Sequence, residues 1–210
     1  MYIITKNVRN ILSEALVELL KKQRIEAITV NAIVKASGIS SRTFYNYFTD
    51  KYDLMHYTYY LYLESCRIKD GRLANLPEAF TQSVESPWVN DPTMMNVALN
   101  MAGYVGQNDL RSFVLASFKH ILTQIVIANG CESQLEEVEM QQMIFMLACL
   151  LNAIGERYSL YPREKQVTAE TLLLCVPDKY RQAFAGIPEM PAQPLVFDPE
   201  NVAWPPPFMK

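Results

Sequence analysis

Val8, Ile11, Leu12, Ala15, Leu16, Leu19 and Leu20 recur at the spacing of one helical face, so the chain opens with a helix burying a single stripe. Thr5 is its expected N-cap, and Lys21, Lys22 and Arg24 suit the negative C-terminal end of its dipole. Thr29 can cap a second, short helix over residues 30–36 that buries Ile33 and Val34, with Gly38 stopping it in the left-handed region. Ile39 then anchors the turn. Ser40 or Ser41 caps a third helix, whose Phe44 and Phe48 lie four apart on an inner face. Thr49 or Asp50 opens a fourth, running to about residue 69. Proline and glycine at Gly71, Pro77, Pro87 and Pro92 predict a short helix between irregular pieces over 70–92. Helical patterns resume over 93–104, 109–128, 132–158 and 164–185, the last kinked or split at Pro177. Strand signals are weak throughout.

From Gly186 the chain changes in kind. This tail holds seven of the 12 prolines and ends Trp204-Pro205-Pro206-Pro207-Phe208, which predicts an extended segment rather than a helix. The expected organisation is therefore all-α. A three-helix head over 1–50 is joined through a fourth helix to a helical bundle over 51–185, and 186–210 forms the tail.

Composition refines this picture. Half of the 210 residues are hydrophobic and a fifth charged, the balance of a globular chain with a sizeable core. The net charge of −3 hides an asymmetry: residues 1–56 hold eight basic and five acidic side chains, and the rest hold 11 and 17. A basic end on an acidic body suits a phosphate-binding module attached to a different function. Cys66, Cys131, Cys149 and Cys175 show no metal-binding spacing, and a reducing cytoplasm is the expected location. The longest apolar run, 143–151, falls well short of the ~20 residues a membrane span requires.

The informative stretch is 29–51, TVNAIVKASGISSRTFYNYFTDK. Two short helices about a tight glycine turn make a helix-turn-helix, whose second helix lies in the major groove of DNA. Such a helix needs an apolar inner face, supplied by Phe44 and Phe48, and a polar outer one, supplied by Ser41, Arg42, Thr43, Tyr45 and Tyr47. Thr29, Ile33, Gly38, Ile39, Ser40, Thr43, Phe44, Tyr45, Tyr47, Phe48 and Lys51 stand in the order and spacing of the TetR family of repressors, which residues 5–56 resemble. Val34, Ser37 and Arg42 depart from the family's usual residues. The first two bear on helix spacing, and the third on which operator is read.

The resemblance implies roles residue by residue. Ser41, Arg42 and Thr43 face base edges, Arg42 with a bidentate contact to guanine. Tyr45 touches a thymine methyl or a phosphate, Tyr47 and Lys51 a phosphate, and Thr29 a phosphate through its helix start. Asn46 points either way. The plain alternatives are capping for Ser41 and Thr43, and core packing with a wet hydroxyl for Tyr45 and Tyr47.

The resemblance further implies double-stranded operator DNA as partner and a homodimer built from the last two long helices. It also implies a small apolar or aromatic effector that releases a repressor from its operator. Tyr60, Trp88, Met101, Tyr104, Phe113 and Phe118 are the candidate effector pocket, with ordinary core packing as the alternative for each. His56 and His120 read as satisfied polar residues, and no metal, cofactor or catalytic group is expected. No nucleophile elbow, phosphate loop or paired-carboxylate pattern marks an enzyme. The competing reading is a TetR-like coactivator or adaptor whose head binds a protein partner.

Overall fold

The computed structural model describes residues 7–85, 93–94, 97, 100, 110–128, 136–160, 173–174, 176–178, 181, 186 and 190–209. Helix α1 (Val8–Leu20) buries Leu12, Ala15, Leu16 and Leu20, as the stripe requires, together with the polar Asn10 and Ser13. Its N-cap is Asn7, whose side chain accepts from the Arg9 N–H; Thr5 lies outside the described residues. Helix α2 (Val30–Ser37) is capped by Thr29, whose hydroxyl oxygen accepts from the Ala32 N–H at 3.1 Å. It ends at Gly38, held at φ 71°, a left-handed conformation that a Cβ opposes. Helix α3 (Ser41–Tyr47) is capped by Ser40, and helix α4 (Lys51–Ser65) by Asp50, so the structure selects one residue from each predicted pair.

Helix α4 stops short of residue 69. A two-residue antiparallel ribbon follows instead, β1 (Ile68–Lys69) against β2 (Arg72–Leu73). Asp70 and Gly71 both take positive φ, 50° and 80°, the signature of a tight type I′ hairpin. The expectation of a helix there is corrected, because Asp-Gly is the strongest short hairpin signal. Helix α5 (Leu76–Glu85) begins with a reciprocal cap: the Asn75 side chain accepts from the Glu78 N–H, and the Glu78 carboxylate accepts from the Asn75 N–H. Arg72 closes this corner with a fork onto Glu78.

Two long helices complete the described bundle, α6 (Leu110–Ala128) and α7 (Glu137–Leu160), which pack against each other. Residues 93, 94, 97 and 100 are helical within the predicted 93–104 segment, and most of the expected helix over 164–185 lies outside the described residues. The fold is all-α, with one small ribbon among the described residues. No described helix is long and apolar enough to cross a membrane.

The core falls into two clusters. One joins Leu12, Leu16, Leu20, Ile25, Ile28, Ile33, Phe44, Phe48 and Leu54 in the head, then continues through Tyr57 and Tyr60 of α4 to Phe113 of α6. The other packs α4, α5, α6 and α7 through Leu63, Phe80, Ile121, Ile125, Ile144 and Leu147. Helix α4 contributes to both, so it carries the head on the body. The tail runs extended from residue 190, broken by 3₁₀ turns at Pro199–Asn201 and Pro207–Met209, and returns over the head.

Candidate nucleic-acid interface

Helix α3 is short, and its orientation is fixed from inside. Phe44 is fully buried and Phe48 nearly so, their rings 6.0 Å apart, and Phe48 continues onto Tyr57 at 5.5 Å. With those two positions anchored, Ser41, Arg42, Tyr45, Asn46 and Tyr47 are exposed, while Thr43 is half-buried. Tyr45 is 58% and Tyr47 42% exposed, values that separate them from the core aromatics beside them. The core alternative for these two tyrosines therefore fails in this subunit. The ring of Tyr45 rests edge-on against Phe44 at 5.2 Å, an arrangement that aromatic pairs favour.

Caps shape the rest of the surface. Ser40 accepts from the Thr43 N–H, and the two hydroxyls share a hydrogen bond of 2.8 Å. Ser41 is thereby left free of capping duty. Ser37, one of the family departures, donates to the Val34 carbonyl and takes the Ile39 N–H at 3.2 Å, tying the end of α2 into the turn. Thr29 is exposed; its oxygen serves the helix start, and its hydroxyl also carries a proton it can donate.

Lys51 departs from its expected phosphate contact. Its ammonium donates to three backbone carbonyls, Ile25 at 2.8 Å, Glu26 at 2.9 Å and Ile28 at 2.8 Å. An ammonium has three protons, so all are engaged. Burial lowers its pKa, with Glu26 and Asp50 opposing that shift. Lys51 ties the loop before α2 to the start of α4, a function that spacing could not distinguish from a phosphate contact.

The candidate effector residues are only partly brought together. Tyr60 of α4 and Phe113 of α6 meet edge-on at 6.5 Å, but Trp204 and Phe208 of the tail pack against both. Phe118 packs against both clusters and, with Leu63, Phe80 and Leu122, lines a void of about 30 Å³. Trp88, Met101 and Tyr104 lie outside the described residues. Sequence reasoning missed a cavity of about 350 Å³ between α4, α6 and the tail, lined by Tyr60, Glu64, Arg67, His120, Gln124 and Asn201. Burial lowers the His120 pKa, with Glu64 raising it and Arg67 lowering it. Among the described residues no group of three or more His, Cys, Asp or Glu side chains gathers as metal ligands.

Residues 11–58 match the family model of the bacterial regulatory proteins of the tetR family. Among solved structures, the dihydroxyacetone kinase operon activator DhaS superposes with a TM-score of 0.59 at 15% identity, covering 87% of this chain and 97% of that one. The fatty acid degradation regulator FadR from Bacillus halodurans superposes at 0.49 and 14% identity, over 85% and 98% of the two chains. No curated protein sequence matches the chain. The likeness to DhaS is one of fold, and it extends over the body as well as the head.

Proposed function

We propose, for a chain that belongs to the tetR family of bacterial regulatory proteins, the role of a cytoplasmic repressor that binds operator DNA as a homodimer and is released by a small effector. DNA binding is the family's activity, and one observation carries it to particular residues. Phe44 and Phe48 lock α3 from within, and the opposite face presents Ser41, Arg42, Tyr45, Asn46 and Tyr47 to solvent.

In this reading the first turn of α3 enters the major groove. Arg42 forms two hydrogen bonds to one guanine edge, and Ser41 and Thr43 contact neighbouring edges. Tyr45 and Tyr47 reach the backbone or a thymine methyl, and Thr29 donates to a phosphate at the start of α2. Two heads are needed, because one short helix covers only half of a site that repeats after a turn of the duplex.

The effector reading finds support in the 350 Å³ cavity beside Tyr60, large enough for a small molecule. Its lining mixes Tyr60 with Glu64, Arg67, His120 and Gln124, so it suits a ligand with polar groups better than the wholly apolar one that aromatic crowding suggests. Ligand there would bear on α4, the element that carries the head, and shift the population of head poses.

The test selects duplexes from a random library with the wild-type protein, then measures binding across a salt series. Specific binding that weakens steeply with salt is expected. Arg42→Ala should relax preference at one base position by about 1–3 kcal/mol. Failure to enrich any site would favour the adaptor reading.

A further inference from the structure

The C-terminal tail touches every part that must move if the head turns on its body. It starts against the hairpin, where the Leu195 N–H donates to the Gly71 carbonyl at 2.7 Å and a Cβ on Gly71 would meet Pro194 at 3.0 Å. It then crosses α4 and α6, forming one wall of the open cavity that Tyr60 and His120 line. At the head, Glu200 takes over the start of α1. Its carboxylate accepts from the Asn7 backbone N–H and from the Asn10 side chain, and its carbonyl accepts from the Asn7 side chain at 3.0 Å. Asn10 also donates to the Pro199 carbonyl at 2.9 Å and accepts from the Tyr57 hydroxyl at 2.6 Å. A carboxylate at a helix N-terminus satisfies a backbone donor that the helix itself cannot, and complements its dipole.

Two aromatic anchors finish the course. The Trp204 indole N–H donates to Asp53 at 3.2 Å, and its ring lies 5.3 Å from Tyr57 and 6.0 Å from Phe113. Phe208 sits 6.0 Å from Tyr60, 5.9 Å from Phe113 and 5.3 Å from His120. Tail, α4 and α6 thus share one aromatic junction, which α1 joins through Asn10 and Arg9 at Tyr57. The tail borders the reading surface, with Trp204, Pro205 and Met209 lining one cleft with Asn46 and Tyr47, yet Tyr45 and Tyr47 stay exposed. It constrains the head without blocking it.

We propose that residues 190–209 are a strap that holds the head in its DNA-reading pose, with Glu200, Trp204 and Phe208 as positioning residues for DNA binding. This rests on the DNA-binding reading. A head already held in place loses less freedom on binding, so the strap raises affinity and sharpens the preferred spacing between half-sites. Because none of the three residues is assigned a DNA contact, the number of phosphates engaged is unchanged when they are altered.

The experiment compares full-length wild type with Trp204→Ala, Trp204→Phe and Glu200→Ala. The probes are duplexes selected by the wild type, with half-site spacing varied one base pair at a time. Trp204→Ala and Glu200→Ala should each weaken binding about tenfold, flatten the spacing preference and leave the salt slope unaltered. Trp204→Phe, which keeps a ring against Tyr57 and Phe113, should retain most of the wild-type affinity. Hydrogen exchange needs no DNA: amides 8–12 and 51–57 should exchange faster in the two alanine variants, with 141–150 unchanged. Wild-type or tighter binding by both alanine variants overturns the strap. So does faster exchange spread evenly through α6 and α7, the mark of general destabilisation. If no duplex can be selected, DNA reading fails as a function, and the exchange pattern alone decides the strap.

Discussion

Gly38 shows how a single residue sets the angle between the two helices of the reading head. Its φ of 71° lies where a Cβ is strained, yet a Cβ built there meets nothing within 4 Å. The whole cost of Gly38→Ala is therefore conformational, about 1–2 kcal/mol, and urea unfolding should report a loss of that size. Lys51 makes a sharper distinction. If its ammonium ties the loop at Ile25, Glu26 and Ile28 to α4, then Lys51→Met strands three carbonyls and removes charge-assisted hydrogen bonds. A fall in stability of about 2–3 kcal/mol should follow, with no change in the slope of DNA affinity against salt. A slope reduced by about one unit at unchanged stability would return Lys51 to the phosphate contact. His120 adds a pH dependence. Burial holds its folded pKa below the ordinary histidine range, so the unfolded chain takes up the proton first. Its contribution to stability is complete above the unfolded value and is lost as pH falls through the lower folded one. Thermal unfolding between pH 7 and pH 5 should show this loss, and His120→Gln should flatten it.

At the scale of elements, what could be read in advance depended on how local the determining interactions are. The caps Thr29, Ser40 and Asp50 act within three residues of themselves, and the Phe44 and Phe48 pair within one turn, so the head was visible in spacing alone. The hairpin at 68–73 was not, although Asp70-Gly71 marks its turn, because two-residue strands leave no alternation to detect. The tail's extended form was legible in its prolines, but its docking was not, because contacts such as Asn10 with Pro199 and Trp204 with Asp53 join residues more than 150 positions apart and leave no period in the sequence. The carbonyl contacts of Lys51 were hidden for the related reason that a lysine after the third helix fits a phosphate and a carbonyl cluster equally well. The hairpin corner offers its own test. Arg72 grips Glu78 through both nitrogens, and that hydrogen-bonded pairing, ahead of the Asn75 backbone bond, holds the Glu78 carboxyl below the usual range against the opposing effect of burial. A depressed acid stabilises the fold fully above its unfolded pKa and ceases to as pH falls through the folded one. Glu78→Gln should thus lower stability by about 1 kcal/mol at pH 7, and the difference should close below roughly pH 4.

At the scale of the whole molecule, the question is what covers the outer face of α7. Met143, Ile144, Leu147 and Ala148 turn inward and are buried, whereas Val138 is 66%, Phe145 52% and Met146 60% exposed. Val138, Gln142, Phe145 and Cys149 follow one another at steps of four, three and four residues, the seam along which two helices supercoil. Ile127 on the neighbouring α6 is also 48% exposed. A second copy is the economical partner, because a two-fold axis also supplies the second head that a repeated DNA site demands. Phe145→Glu would then place an uncompensated carboxylate in a packed seam, at a cost of several kcal/mol. At about 1.4 kcal/mol per tenfold, that weakens self-association by at least a hundredfold. Sedimentation equilibrium at micromolar protein should show monomers, and affinity for a two-half-site duplex should collapse toward that of one half-site. Helix content should hold, since the residue touches solvent in the single subunit. A variant that remains dimeric and binds as before would place the pairing surface elsewhere, and the exposed stripe on α7 would need another partner.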